Sequence, residues 1–424
     1  MDHRVKAVRQ GLDWRAKGLP AIDGAMTVEA VREAGWNLFD GRFLLPTMIL
    51  LEDALSHDIA LLATFGRARG ISLAPHGKTT MSPQIWQRQI DAGAWAITLA
   101  TPWQARVAAL AGVERVLIAN EVVDDAGLAW LARVLADDGP EVICQVDSIA
   151  GVERMGARLG SPRRPLPVLI EVGFQGGRTG IRDIAEAIAI LRAIADTTSL
   201  QAVGAAAFEG VVRGETESAR RDQVRELMAR VRTVGEMVGA EVRRLPLDEV
   251  ILASGSSTHF LDVVDQLTEP LAADIPTRVV LRSGCTVTHD HAGFDLDSPW
   301  GSRASGNAPR LRAALEVWAP VISRPESGMA YAGAGRRDLP YDLGLPTPLK
   351  VRGLDGSMRQ ASGIRVARLN DQHAFLALDS DTPLAVGEDI GLGIAHPCSA
   401  FDRWRFIPLV NETYDVIDIY ETIF

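Results

Sequence analysis

Four stretches of this 424-residue chain carry side chains whose types and spacing suit chemistry. In "LAPHGKTTMSP" (73–83) stands Lys78, one of only four lysines (with Lys6, Lys17 and Lys350) against 40 arginines. An arginine would serve solubility or a salt bridge equally well. It cannot supply a primary amine that loses its proton and attacks a carbonyl. A genomic bias toward Arg would give the same composition, and it makes each retained lysine more informative. In "EVGFQGGRTG" (171–180), Arg178 lies in a Gly-rich loop where it could hold an anionic oxygen, or be a surface arginine. "ASGSSTHF" (253–260) and "RSGCT" (282–286) are small-residue loops whose backbone N–H groups can approach a phosphate, with Ser256 and Ser257 adding hydroxyl donors. In "AHPCSAFDRW" (395–404), His396 and Cys398 face the same way if extended. Imidazole plus thiolate is half of a zinc site; the alternative is a buried cysteine beside a hydrogen-bonded histidine.

The elements that must position these groups show in the hydrophobic pattern. Eight apolar runs of 5–7 residues, at 71–75, 95–100, 115–120, 141–147, 167–173, 202–208, 249–255 and 278–284, are bounded by turn signals. They read as strands buried on both faces of a parallel sheet. Between them lie amphipathic helical segments such as 183–196 and 217–238. Eight strands alternating with helices is the count of a TIM-type (β/α)8 barrel, with a doubly wound open sheet as the competitor. After residue 285 the rhythm gives way to short strands and tight turns. Residues 363–379 read as a hairpin turning at "NDQ", and 386–410 as two strands around a loop. The expected organisation is a segment 1–45, packed on the β domain or forming a helix pair, then a barrel over 46–288 and a β domain over 289–424.

In a barrel the reactive groups sit at the C-terminal ends of the strands. Lys78 falls just past the first run, and the two phosphate-type loops follow runs seven and eight. An amine held there and partly desolvated suits a Schiff base with an aldehyde cofactor, pyridoxal phosphate above all. A solvated loop lysine is the plain alternative.

Composition removes other classes. The net charge of −10 with no basic run argues against nucleic acid. No apolar run approaches the ~18 residues of a membrane span, and the charged N-terminus lacks a signal-peptide core. Three widely spaced cysteines, Cys144, Cys285 and Cys398, argue against a disulfide framework and fit a reducing cytoplasm.

"PHGKT" (75–79), "GGRTG" (176–180), "SGSS" (254–257), "RSGC" (282–285) and above all "HPCSAFDRW" (396–404) occur in the order seen in the D-serine dehydratase and D-threonine aldolase family, which this chain resembles from about residue 45 onward. The resemblance implies an alanine racemase-like barrel plus β domain, fold type III of the pyridoxal-phosphate enzymes, and a head-to-tail homodimer. It implies that Lys78 carries the cofactor, that Arg178 meets its phenolic oxygen, and that Gly255, Ser256, Ser257, Gly284 and Cys285 bind its phosphate. His396 and Cys398 would hold a divalent metal, zinc in the dehydratases, with manganese or magnesium as alternatives. The aldolase branch commonly has Asp at the second metal position, so Cys398 favours dehydration. Thr286 in place of a common Tyr, Ser399 and Ala400 in place of two Thr, and the segment 331–342 depart from the family pattern. They point to a subgroup labelled amino acid deaminase. The activity implied is dehydrative deamination of a D-β-hydroxy-α-amino acid to a 2-oxo acid and ammonia. Retro-aldol cleavage is the alternative, followed by racemisation or a non-catalytic pyridoxal-phosphate carrier.

Overall fold

The computed structural model describes residues 11–22, 24–242, 249–272 and 275–424. Lys6 and the first ten residues of the leading segment lie outside the described residues. The chain forms two compact units. One comprises Leu62–Lys78 and Trp86–Gly284; the other comprises the described chain up to Leu61, Thr79–Ile85 and Cys285–Phe424.

The first strand, β1 (Thr47–Leu51), belongs to the second unit. The eight expected runs form a single parallel sheet: β2 (Ser72–Leu73), β3 (Ile97–Leu99), β4 (Arg115–Glu121), β5 (Glu141–Val146), β6 (Leu166–Glu171), β7 (Leu200–Ala206), β8 (Val250–Ser254) and β9 (Thr277–Leu281). Neighbours run in the order β2-β9-β8-β7-β6-β5-β4-β3. The sheet then closes on itself. Trp95 N donates to Leu73 O at 2.7 Å, Thr98 N donates to Pro75 O at 2.9 Å, and His76 bridges Thr98 in parallel. Closure leaves no free edge, which excludes the doubly wound alternative. The interior is filled by short and branched side chains, among them Ala74, Leu117, Ile143, Leu169, Val203 and Val280, the packing such a barrel requires.

Local signals end the helices between strands. Pro102–Ala111 starts at Thr101, whose hydroxyl accepts from Gln104 N, and stops at Gly112 in the left-handed region. Ile184–Ala195 opens with a capping box of Asp183 and Glu186.

The second unit is built on β10 (Leu315–Glu326), β11 (Met329–Ala332), β12 (Thr347–Arg352), β13 (Met358–Gln360), β14 (Ile364–Leu369), β15 (Ala374–Leu378), β16 (Asp389–Gly393), β17 (Phe406–Val410) and β18 (Val416–Glu421). The main path is β13-β12-β16-β10-β1-β17-β18. The far end of the long β10 pairs with β11, which pairs with the expected β14–β15 hairpin. β1 runs antiparallel to β10 (Thr47↔Trp318) and parallel to β17 (Leu50↔Leu409).

Among residues 11–45 the structure has one short helix, Val28–Glu33. Leu12, Leu19, Val31, Leu38 and Phe43 share a core with Trp318, Phe406, Tyr414 and Ile419. No described helix is long and apolar enough to cross a membrane.

Candidate active site

In the barrel unit, a 3-10 turn at Gly77–Thr79 follows β2 and carries Lys78. Buried Trp86 donates its indole N–H to the Gly77 carbonyl at 3.2 Å and fixes the turn. The three described lysines differ sharply. Lys17 pairs with buried Asp338 at 2.7 Å and lies over the Trp404 ring; Lys350 bonds Tyr414 Oη at 2.8 Å and pairs with Glu316. Lys78 makes no hydrogen bond or ion pair among the described residues, and it is half-buried. Its amine is the available one.

Arg178 follows β6. Its loop is shaped by Arg182, which donates to the carbonyls of Arg178 and Thr179, and by Asp147, which accepts from Gly180 N at 3.0 Å. The guanidinium lies over the Phe208 ring and 3.8 Å from Glu171, the last residue of β6. Arg282, directly after β9, is 2 % exposed and donates to the Ala207 carbonyl. Burial pulls its pKa down to about 10, against the pull of Glu171 and Glu209. Its Nε, Glu171 Oε2 and His76 Nδ1 are buried without a partner among the described residues. Burial, then the charges of Lys78, Arg282 and Arg178, hold the His76 imidazole well below its ordinary pKa and hence neutral. The end of the barrel thus gathers cations and unpaired polar atoms, an environment made for an anion.

The small-residue loops meet there on terms that sequence did not reveal. Gly255 has φ +133°, and a side chain on it would run into Leu281 and Arg282 N; a side chain on Gly284 would lie 2.5 Å from His76 Cβ. The fully buried Glu209 accepts from Ser254 Oγ (2.8 Å), Gly255 N (3.2 Å) and Ser256 N (2.5 Å). The Ser256 hydroxyl accepts from Thr258 N and His259 N. Two of the amides expected to face a phosphate are therefore bound to a carboxylate, because a buried carboxylate must be satisfied.

In the second unit, the loop after β16 carries His396 and Cys398. Phe401 and Trp404, at 0 % and 1 % exposure, anchor it. The Trp404 indole donates to Asp338 O at 3.0 Å, and Thr422 Oγ1 donates to Trp404 O at 2.7 Å. So "HPCS" holds the reactive groups and "FDRW" fastens the loop. Cys398 Sγ is 3.1 Å from Cys285 Sγ and 3.2 Å from Thr79 Oγ1. The Cys285 thiol, followed by His396 and Thr79, drives the Cys398 thiol well below its ordinary pKa despite burial. Burial lowers the His396 pKa, but Cys398 and Asp342 outweigh it and leave it raised. His396 Nδ1 is 2.5 Å from Asp342 Oδ2, and Ser399 Oγ donates to Asp342 Oδ1 at 2.6 Å. With Nδ1 occupied, Nε2 is left for a metal, an arrangement typical of metal-bound histidine. The ligand atoms of Cys285, His396 and Cys398 all lie within 4.8 Å of one another. Cys285, expected with the phosphate, thus has its sulfur among candidate metal donors.

Sequence reading passed over Glu209, Arg282, Asp342 and Thr79. A lone Glu ending the apolar run "AAAFEG" and an Arg ending "VVLR" were the only signals for the first two; a charged residue at the end of a buried strand is exceptional. Nothing marked Asp342 or Thr79.

Residues 314–410 match the family described as putative serine dehydratase domain. A 3-hydroxy-D-aspartate aldolase of Paracoccus denitrificans is 23% identical, across 83% of this chain and 84% of the relative. Other relatives at such distances divide between a D-threonine aldolase and a D-threo-3-hydroxyaspartate dehydratase. The crystal structure of D-threonine aldolase from Filomicrobium marinum has a TM-score of 0.73 at 24% identity, covering 90% of this chain and 95% of that one. A D-threo-3-hydroxyaspartate dehydratase structure, with a cysteine replaced by alanine and described as metal-free, has a TM-score of 0.68 at 21% identity, covering 90% and 97%. Another structure of that dehydratase replaces a histidine two positions before this cysteine, the spacing of His396 and Cys398 here. The motifs, the matched domain and these likenesses agree: residues 314–410 are similar to the serine dehydratase domain, and the closed barrel with its β unit has the fold of the D-threonine aldolase and D-threo-3-hydroxyaspartate dehydratase structures and of an ala racemase-like protein.

Proposed function

We propose that this chain is a pyridoxal-phosphate- and metal-dependent lyase that dehydrates a D-β-hydroxy-α-amino acid to a 2-oxo acid and ammonia. The observation that carries the reading is the preformed donor pair of His396 and Cys398, with Cys398 Sγ 3.1 Å from Cys285 Sγ and His396 oriented by Asp342. A racemase or a cofactor carrier has no use for such a pair, whereas a β-hydroxyl has to be made into a leaving group.

The residues present fit both groups. For the cofactor there are the unpartnered amine of Lys78, the unpaired Arg282 Nε, and the cation cluster around His76. Gly255 and Gly284 keep side chains away where a phosphate would approach, and the Glu209 carboxylate holds their neighbours in place. Lys78 would hold the cofactor, Arg178 its phenolic oxygen, and Ser257 and Gly284, with the Cys285 amide, its phosphate. For the metal there are a thiolate and an imidazole nitrogen, donors suited to zinc. When bound, pyridoxal phosphate supplies an electron sink for the charge left at Cα, and the metal a Lewis acid for the β-hydroxyl. Lys78 Nζ is the base that takes the α-proton. The imidazole of His76, held neutral chiefly by burial, adds no further positive charge beside that amine.

Retro-aldol cleavage to glycine and an aldehyde is the second reading, favoured by the aldolase names among the relatives. Incubation with D-threonine separates them. Dehydration gives 2-oxobutanoate and ammonia; glycine with acetaldehyde would replace the proposal with the aldolase reading. A purified protein that stays colourless after reconstitution with pyridoxal phosphate would sink both. A panel of D-β-hydroxy amino acids, D-serine and D-threo-3-hydroxyaspartate included, identifies the side chain accepted.

A further inference from the structure

We infer that Cys285 is a third protein ligand to the metal, so that Cys285, His396 and Cys398 form a two-thiolate, one-imidazole zinc site with one position left open for a substrate oxygen. The inference rests on the metal dependence proposed above and adds the donor set that determines which metal is held.

Geometry carries it. The two sulfurs are 3.1 Å apart, and the three ligand atoms share a sphere within which each is under 4.8 Å from the others. Tetrahedral zinc with Zn–S bonds of about 2.3 Å places two sulfurs about 3.8 Å apart, so they need open by only about 0.7 Å. Cys285 cannot easily swing away. It begins a buried 3-10 turn, Cys285–Val287, and its carbonyl accepts from Thr288 N (3.3 Å) and His289 N (2.8 Å). Its backbone N–H remains compatible with a phosphate role, since only the sulfur is used here.

The contrast with Cys144 is instructive. That thiol is fully buried in strand β5, and burial, with the Glu121 carboxylate adding to it, pushes its pKa far up, the state of an inert core cysteine. Cys285 and Cys398 instead sit sulfur to sulfur, with Thr79 Oγ1 and His396 on the second of them. The outer shell is present too, in Asp342 on His396 Nδ1 and Ser399 on Asp342.

Two thiolates and an imidazole are soft donors that select zinc over manganese or magnesium. They also neutralise the ion, so the site should retain it against chelators. A site of His396 and Cys398 alone would give up its metal far more readily.

The test begins with the native protein loaded with zinc. X-ray absorption should show two sulfurs in the first coordination shell, and excess Mn²⁺ or Mg²⁺ should fail to displace the zinc. In the Co²⁺ form, Cys285→Ser should halve the near-UV thiolate-to-cobalt band. It should also weaken zinc in chelator competition by on the order of 100-fold, at least the upper end of what losing an outer-shell partner costs. A thermal melt of Cys285→Ser and Cys285→Ala establishes that the variants are folded, and the absorption measurement on native protein needs no variant. One sulfur per zinc, or an unchanged cobalt band and affinity in Cys285→Ser, would overturn the inference and leave the proposed lyase standing. A Cys285–Cys398 disulfide that persists in reductant and blocks zinc would overturn it as well. A protein that takes up no metal at all would overturn both.

Discussion

The end of the barrel and the sulfur cluster of the β unit are both polar and both poorly exposed, but their side chains are satisfied in different ways. At the barrel end, Arg282 Nε, Glu171 Oε2 and His76 Nδ1 have no partner among the described residues, and Lys78 has none for its amine. An unmet buried group costs about 1–3 kcal/mol. Several in one place are stable to evolution only where a ligand meets them. In the sulfur cluster every donor already has a neighbour: Asp342 to His396, Cys285 and Thr79 to Cys398. The first arrangement suits a large organic anion that brings its own oxygens. The second suits a bare ion, for which the protein must supply deprotonated ligands in advance.

Substitution of the unpartnered amine should have the largest effect. Lys78→Ala should lower turnover by about 10⁴-fold or more, since both the attachment point and the base are lost. Lys78→Arg should do no better, although it keeps the charge. Lys350→Met makes the control: it breaks the bonds to Tyr414 and Glu316 and should lower the melting temperature while leaving kcat unchanged. Equal losses from both substitutions would mean that Lys78 is no more special than a structural lysine.

Sequence pattern and structure agree where the information is local. The eight barrel strands were legible because they lie in short, mostly apolar runs bounded by turns, as in "EVILASG" and "RVVLRSG". β1 was not, because "TMILL" leads straight into the helix Glu52–Arg69, and only long-range pairing shows that it joins β10 and β17. The same limit applied to the site. His396 and Cys398 are two residues apart and could be read as a pair. Cys285 lies 113 residues from Cys398, and Asp342 54 residues from His396. Such meetings depend on how loops close, which no periodicity encodes. Glu209 was hidden for another reason: a carboxylate among small residues reads as a surface group until its amide partners are known.

Two substitutions sharpen the contrast at intermediate cost. Asp342→Asn keeps a hydrogen-bond acceptor on the His396 side but loses the charge that holds the imidazole. Metal affinity should fall about 10- to 100-fold by chelator competition, with the barrel's cofactor absorbance unaffected. Glu209→Gln should do the reverse. It leaves one oxygen for the amides of Gly255 and Ser256, destabilises the barrel by about 1–3 kcal/mol in urea unfolding, and weakens pyridoxal phosphate rather than metal. If each variant weakened both groups equally, the two regions could not be treated as separately organised.

The mildest test concerns protons at the barrel end. Glu121, the last residue of β4, is paired in register with Gln145, and burial followed by the Glu171 carboxylate pushes its pKa up to about 9. The folded protein therefore keeps this proton up to about pH 9, whereas the unfolded chain releases it near its ordinary value of 4.5. The native state binds more protons across that window, so stability is complete at its acid end and declines as pH rises through it. Glu121→Gln removes the titration. Urea unfolding at pH 6 and pH 9 should show the variant losing less stability than the native protein between the two. The ceiling for one group is about 1.4 kcal/mol per pH unit, reduced here because solvent reaches a half-buried carboxyl. An unchanged slope would mean that Glu121 does not carry the retained proton.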